Sequence, residues 1–134
     1  VIRNARPSDL ADVLSICKVS FARADRFGPR WLVNALADGA TLRIDDGGAS
    51  LVRGFALIQQ RPAGVNWLRY VAVAADSRRR GVGRRLLAAV RGPAYAWVRC
   101  ENAASRAMFA AAGWEAGIVP DGRRRGEWVR FHRD

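Results

Sequence analysis

Leu10, Val13, Leu14 and Cys17 recur at the i, i+3, i+4, i+7 spacing of one helical stripe, and Pro7-Ser8-Asp9 ahead of them supplies a helix start. Trp31, Leu32, Ala35 and Leu36 repeat that spacing between Gly28-Pro29 and Gly39, which predicts a second helix. From Thr41 the period falls to two. Residues 41–44 and 51–58 read as strands, and Asp45-Asp46-Gly47-Gly48 between them reads as a hairpin turn, so the pair is antiparallel. A turn at 62–64 leads into residues 67–73, the central strand. A third helix begins near Gly81, buries Leu86, Leu87 and Val90, and is cut short by Gly92-Pro93. Residues 95–100 form the next strand. Asn102 can cap the helix carrying Met108 and Phe109, and Gly113 suits its left-handed C-terminal position. Ile118-Val119 and residues 127–131 then predict a final hairpin across Pro120-Asp121-Gly122.

Composition narrows the class. A chain of 134 residues reads as one domain, 1–134, long enough to bury about two-thirds of its unfolded surface without disulfides or metal. Cys17 falls on a buried helical stripe and Cys100 at a strand end, so two free thiols and a cytoplasmic protein are expected. Arg3, Arg6, Asp9 and Asp12 argue against a secretory leader, and no apolar run is long enough to span a bilayer. The net charge is +11, from 23 basic and 12 acidic side chains, and every basic residue except Lys18 is arginine. An anionic partner is favoured.

That charge is concentrated at one place. The central strand runs through Arg78-Arg79-Arg80-Gly81-Val82-Gly83-Arg84-Arg85 directly into the third helix. Glycines let backbone N–H groups approach a ligand, and a helix start leaves donors unpaired, so the segment reads as a cradle for phosphate. A nucleotide-binding loop of the Walker type would need a lysine after the last glycine, and the only lysine is Lys18. A dinucleotide fingerprint would need a third glycine where Leu86 stands.

Arg78-x-x-Gly81-x-Gly83 instead resembles the Arg/Gln-x-x-Gly-x-Gly/Ala signature of the GNAT acyltransferase superfamily. Asn102-x-x-Ser105-x-x-Met108-Phe109-x-x-x-Gly113-Trp114 is similar to that family's Asn-x-x-Ala/Ser-x-x-Leu-Tyr-x-x-x-Gly-Phe helix, and Ile2-Arg3 through Asp9-Leu10-Ala11 resembles its first strand and helix. The resemblance implies an α/β (α+β) fold: a central mixed, mostly antiparallel sheet with parallel, splayed fourth and fifth strands, flanked by about four helices. It implies acetyl-CoA as cofactor and an amine, on a small molecule or peptide, as acceptor, with no metal.

By the same resemblance, the backbone of Val71, Ala72 and Val73 would hold the pantetheine arm and the thioester oxygen. Arg78, Arg79, Arg80, Gly81, Val82, Gly83 and Arg84 would hold the phosphates, with Arg85 in the same cluster, and Asn102 and Phe109 would touch the cofactor. Each also has a plain structural reading: buried strand, solvated charge run, helix cap, core aromatic. Phe109 departs from the tyrosine that in many relatives protonates the departing thiolate; a CoA thiolate is a tolerable leaving group without an acid, and water or Ser105 could supply the proton. Glu101 is the first candidate for general base, with Glu127 and His132 behind it, while Cys100 has no neighbouring histidine to support a covalent route. Residues 21–31 and 120–126 would border the acceptor. Arg123-Arg124-Arg125 leaves open a nucleic-acid partner, a transfer-inactive CoA-binding module is a second alternative, and exposed sheet edges allow a monomer or a homodimer.

Overall fold

The computed structural model describes residues 1–48, 51–117 and 127–134. In chain order these form β1 (Ile2–Asn4), α1 (Leu10–Ser20), α2 (Pro29–Ala37), β2 (Thr41–Asp46), β3 (Val52–Gln60), β4 (Asn66–Val73), α3 (Val82–Ala88), β5 (Ala94–Arg99), α4 (Ala103–Ala111), β6 (Glu115–Gly117) and β7 (Trp128–Arg133). The strands make one seven-stranded sheet in the order β1-β2-β3-β4-β5-β7-β6. Only β4 and β5 run parallel; the other neighbours are antiparallel.

Each face of the sheet has its own core. Val13, Ile16 and Cys17 of α1 and Leu32 of α2 pack on Ile44, Phe55 and Leu57. On the other face Leu86 and Leu87 of α3 and Phe109 of α4 pack on Ala56, Leu68 and Phe131. The α1 stripe is the one the spacing predicts, with Ile16 added. Arg3 ties β1 to the start of α1: its guanidinium donates to both oxygens of Asp9 at 2.8 and 3.1 Å and to Asp46 at 2.8 Å. Those bonds to Arg3 hold both carboxylates below their usual range. An unfolded aspartate titrates near about pH 4, so this contribution is fully present above that pH and is lost as pH falls through the lower folded values. Melting temperatures measured from pH 7 down to pH 3 should therefore fall below about pH 4, and Asp9→Asn should flatten that decline.

One predicted turn resolves differently. Asp45 is a strand residue, opposite Gly54 in the β2–β3 ladder and only 1% exposed, rather than the first residue of a turn. A buried carboxylate is tolerated there because Arg85 of α3 donates to it through Nε at 3.0 Å and Nη2 at 2.8 Å. The last antiparallel pair begins at Glu115, matched to His132, directly after the buried Trp114. Its predicted partner Ile118-Val119 and the turn after it lie outside the described residues. The third helix ends at Ala88, one residue short of Ala89 and two before the still-buried Val90.

The feature that shapes the site is the parting of β4 from β5. They pair at Asn66↔Ala94 and Trp67↔Tyr95, whereas β3 follows β4 as far as Val73 and β7 follows β5 as far as Arg99. At the same place β4 carries a bulge: Leu68 faces Ile58 and Tyr70 faces Leu57, leaving Arg69 as the extra residue. Leu68 packs in the α3/α4 core, whereas Tyr70 and Ala72 pack toward α1 and α2, so the bulge exchanges the two faces of the strand.

Candidate active site

A cleft of about 410 Å³ opens where the two strands part. Residues from Trp67 to Val71 of β4 form one wall and Ala96 to Arg99 of β5 the other; Glu101, Asn102, Ser105 and Phe109 line it from the α4 side, and Phe21 and Asp25 from the α1–α2 connection. Phe109 is 1% exposed, wedged edge-on against Trp114 at 5.1 Å and stacked on Phe131 at 5.3 Å. Its position is that of a floor, and its ring has no proton to give.

Main-chain direction along β4 follows from one bond. Ala74 N–H donates to Arg53 O at 2.7 Å, so Ala74 and, by strand alternation, Ala72 turn their peptide groups toward β3. Val71 and Val73 turn theirs toward the edge that β5 has left. Of the three strand residues singled out in the sequence, Ala72 is thus the one whose amide faces the intact ladder.

The glycine loop has two different glycines. Gly81 has φ +78° and Arg79 φ +65°, both left-handed, so the chain reverses tightly before α3. Gly83 is buried on the α3–α4 contact, where a Cβ would overlap the Met108 sulfur, so its missing side chain serves helix packing and only its amide remains for a ligand. Among the described residues, no oxygen accepts a hydrogen bond from the main-chain N–H groups of residues 78–84. Arg78, Arg79, Arg80 and Arg84 stand exposed around these donors, and Val82 is a core side chain that offers only its backbone. Arg85 does not belong to this group as the sequence suggested, because its guanidinium is turned back onto Asp45. Exposed guanidinium groups beside free amides fit an anion of diphosphate type.

On the α4 rim, Asn102 Oδ1 accepts from Ser105 N–H at 3.1 Å, the helix cap that the sequence predicts. Glu101 is exposed on the rim, and Ser105 is half-buried in the lining. The other two base candidates are not in the lining: Glu127 sits beside the rim, its carbonyl accepting from Cys100 N–H at 2.9 Å, and His132 lies 3.7 Å from Glu115.

Three cleft residues were not singled out in the sequence, although Asp25 lies in the 21–31 stretch expected to border the acceptor. Asp25 and Arg99 form a two-pronged ion pair, both bonds 2.8 Å, that ties the α1–α2 connection to β5 and raises the arginine's already high pKa. Tyr70 stands among Phe21, Phe27 and Trp31, with ring centroids 5.4, 4.7 and 5.7 Å away. Burial pushes its phenol up, so it stays protonated at neutral pH. Only the β4 bulge brings it to this side, and a bulge leaves no mark in the spacing.

The family model of the acetyltransferase (GNAT) family matches residues 10–114. The chain belongs to the GNAT family. GNAT proteins of known structure share its fold. The ribosomal-protein-S18-alanine N-acetyltransferase of Escherichia coli superposes with a TM-score of 0.80 at 19% identity, covering 98% of this chain and 91% of that one. Ard1 from Thermoplasma volcanium gives 0.81 at 18% identity, with coverages of 99% and 95%. The yncA protein of Salmonella typhimurium, solved with its cofactor acetyl-CoA, gives 0.72 at 18% identity, with coverages of 98% and 91%. No curated protein matches the sequence. The sheet of this GNAT chain, mostly antiparallel with β4 and β5 parallel and splayed, is the one expected from its two motifs. Among the described residues, no helix is long and apolar enough to cross a membrane, and no cluster of side chains could hold a metal.

Proposed function

We propose that this GNAT protein, acting as a single domain, transfers the acetyl group of acetyl-CoA to an amine by direct attack within a ternary complex. The observation that carries the reading is the opening between β4 and β5, set beside a loop of unpartnered amides. In this reading the backbone of residues 79–84 and the side chains of Arg78, Arg79, Arg80 and Arg84 hold the phosphates. Val71 and Val73 supply edge amides to the pantetheine arm and to the carbonyl oxygen as its negative charge grows, with Ala72 keeping the strand rigid between them. Asn102 lies along the arm and Phe109 closes the floor beneath it. Acetyl-CoA supplies an activated acyl carbon and a thiolate able to leave.

The acceptor enters from the side of Phe21, Asp25 and Tyr70. Glu101 takes the proton that an ammonium must lose, and Ser105 or the neutral phenol of Tyr70 provides the proton that Phe109 lacks. The relative from Escherichia coli acts, by its name, on the alanine of a ribosomal protein. Peptides beginning with alanine are therefore the first acceptors to try, ahead of polyamines and aminoglycosides.

Acetyl-CoA at 100 times its Kd should stabilise the fold by about 2.7 kcal/mol, read as a rise in melting temperature. No rise at millimolar cofactor ends this reading. A CoA-binding module without transfer remains the second reading, favoured by Phe109 and by a cleft whose carboxylates, among the described residues, are Glu101 and the paired Asp25. Thiol release with any amine in a broad panel refutes it.

A further inference from the structure

The loop between β4 and α3 contains two left-handed residues, yet the side chains of Arg78, Arg79 and Arg80 are exposed and, among the described residues, make no hydrogen bond that would hold its shape. The brace comes from the helix that follows. Arg85 N–H donates to Gly81 O at 3.0 Å, the first turn of α3, and Arg85 Nη1 donates to Arg80 O at 3.1 Å. In a planar trans peptide the carbonyl and the following N–H point in opposite directions. Drawing the carbonyls of Arg80 and Gly81 back toward Arg85 therefore aims the amides of Gly81 and Val82 away from the helix.

The guanidinium can do this because its other nitrogens are already fixed. Nε and Nη2 are both bonded to Asp45 Oδ2, and Asp45 is locked in the ladder between β1 and β3. Close seating of α3 brings the two within reach. On Gly54, opposite Asp45, a Cβ would lie 2.8 Å from Ala72 O and 2.9 Å from Val82 Cγ1, so only glycine lets the helix start settle this near the sheet. A planar fork that binds a carboxylate with one edge and a carbonyl with the remaining nitrogen is a task for arginine, not for lysine.

We propose that Arg85, braced by the buried Asp45, is a positioning residue that fixes the direction of the phosphate-loop amides. The inference rests on the acetyl-CoA reading above and adds to it a residue that never touches the cofactor. Arg85→Met alone would leave the buried Asp45 with only the Val1 ammonium, at 3.2 Å, in place of a two-pronged partner and endanger the fold, so the informative variants are two others. In Arg85→Met with Asp45→Leu both charges disappear together. Arg85→Lys keeps a cation for Asp45 but has no second nitrogen for Arg80 O.

Binding of CoA and of pantetheine, which lacks the phosphates, is measured by calorimetry on each folded variant, alongside steady-state kinetics with acetyl-CoA. Both variants should bind CoA about tenfold more weakly, the scale of one misdirected hydrogen bond to a charged group, with pantetheine affinity unchanged. The KM for acetyl-CoA should rise by a similar factor while kcat at saturation stays within about twofold. A merely structural role would lower the melting temperature of Arg85→Lys and weaken both ligands alike. Wild-type CoA affinity in either folded variant overturns the inference, whereas failure of the unaltered protein to bind CoA overturns the acetyl-CoA reading instead.

Discussion

Valine at position 81 should weaken acetyl-CoA binding by about a hundredfold, whereas alanine at position 83 should leave it within about twofold. The two glycines sit in one motif but do different work. Gly81 has φ +78°, where a β-branched residue is strained whatever space surrounds it, and its hypothetical Cβ meets only Arg85 Nη1, at 3.4 Å. Valine there drives the loop to another backbone shape and turns two or more amides off target, each worth about 1.5 kcal/mol or more against a charged ligand. At Gly83 the obstacle is the flexible end of Met108, not the backbone. Alanine can displace that side chain, and better helix propensity offsets part of the strain. The check is calorimetric: CoA titrated into both variants, with melting curves to show that each is folded. Equal loss of affinity in the two, or none in Gly81→Val, would remove the loop from the phosphate site.

That contrast marks where sequence reasoning reaches and where it stops. The helices and the strands from β2 to β5 followed from apolar spacing, because a helix stripe or an alternating strand is written in nearest neighbours, while the arrangement of the sheet followed from the family resemblance. The two motifs pointed to the glycine loop and to the α4 rim, and Asn102 caps its helix as its residue type suggests. What escaped were relations between distant positions. Asp45 next to Asp46-Gly47-Gly48 has the local chemistry of a turn, and partners far along the chain, Arg85 40 residues away among them, make it a buried strand residue. Arg85 in its turn sits in an arginine run and looks like one more solvated cation. The bulge at Arg69 and the tie between Asp25 and Arg99 are likewise products of pairing across the sheet. Tyr70 carries no local mark for the same reason, since its place in the cleft depends on the bulge.

Glu101→Gln should lower kcat/KM for the amine by about a hundredfold or more, the usual scale for losing a general base. Binding of acetyl-CoA should be preserved, because the side chain stands on the exposed rim rather than beside the glycine loop. Tyr70→Phe tests the other end of the proton's path. It keeps the ring contacts with Phe21, Phe27 and Trp31 and removes only the hydroxyl, so stability and KM should hardly change while kcat falls about tenfold. The two defects are distinguishable with a strongly acidic thiol leaving group. A thiolate that needs no proton should rescue Tyr70→Phe and leave Glu101→Gln impaired, since the amine must still be deprotonated. If both variants match the unaltered protein, neither side chain moves a proton, and the burden passes to Ser105, whose replacement by alanine should then carry the loss. The same Phe109 that takes the usual donor away offers a gain-of-function control. Phe109→Tyr places a hydroxyl on the cleft floor, and in the Tyr70→Phe background it should restore kcat if a phenol anywhere in this opening can reach the departing sulfur.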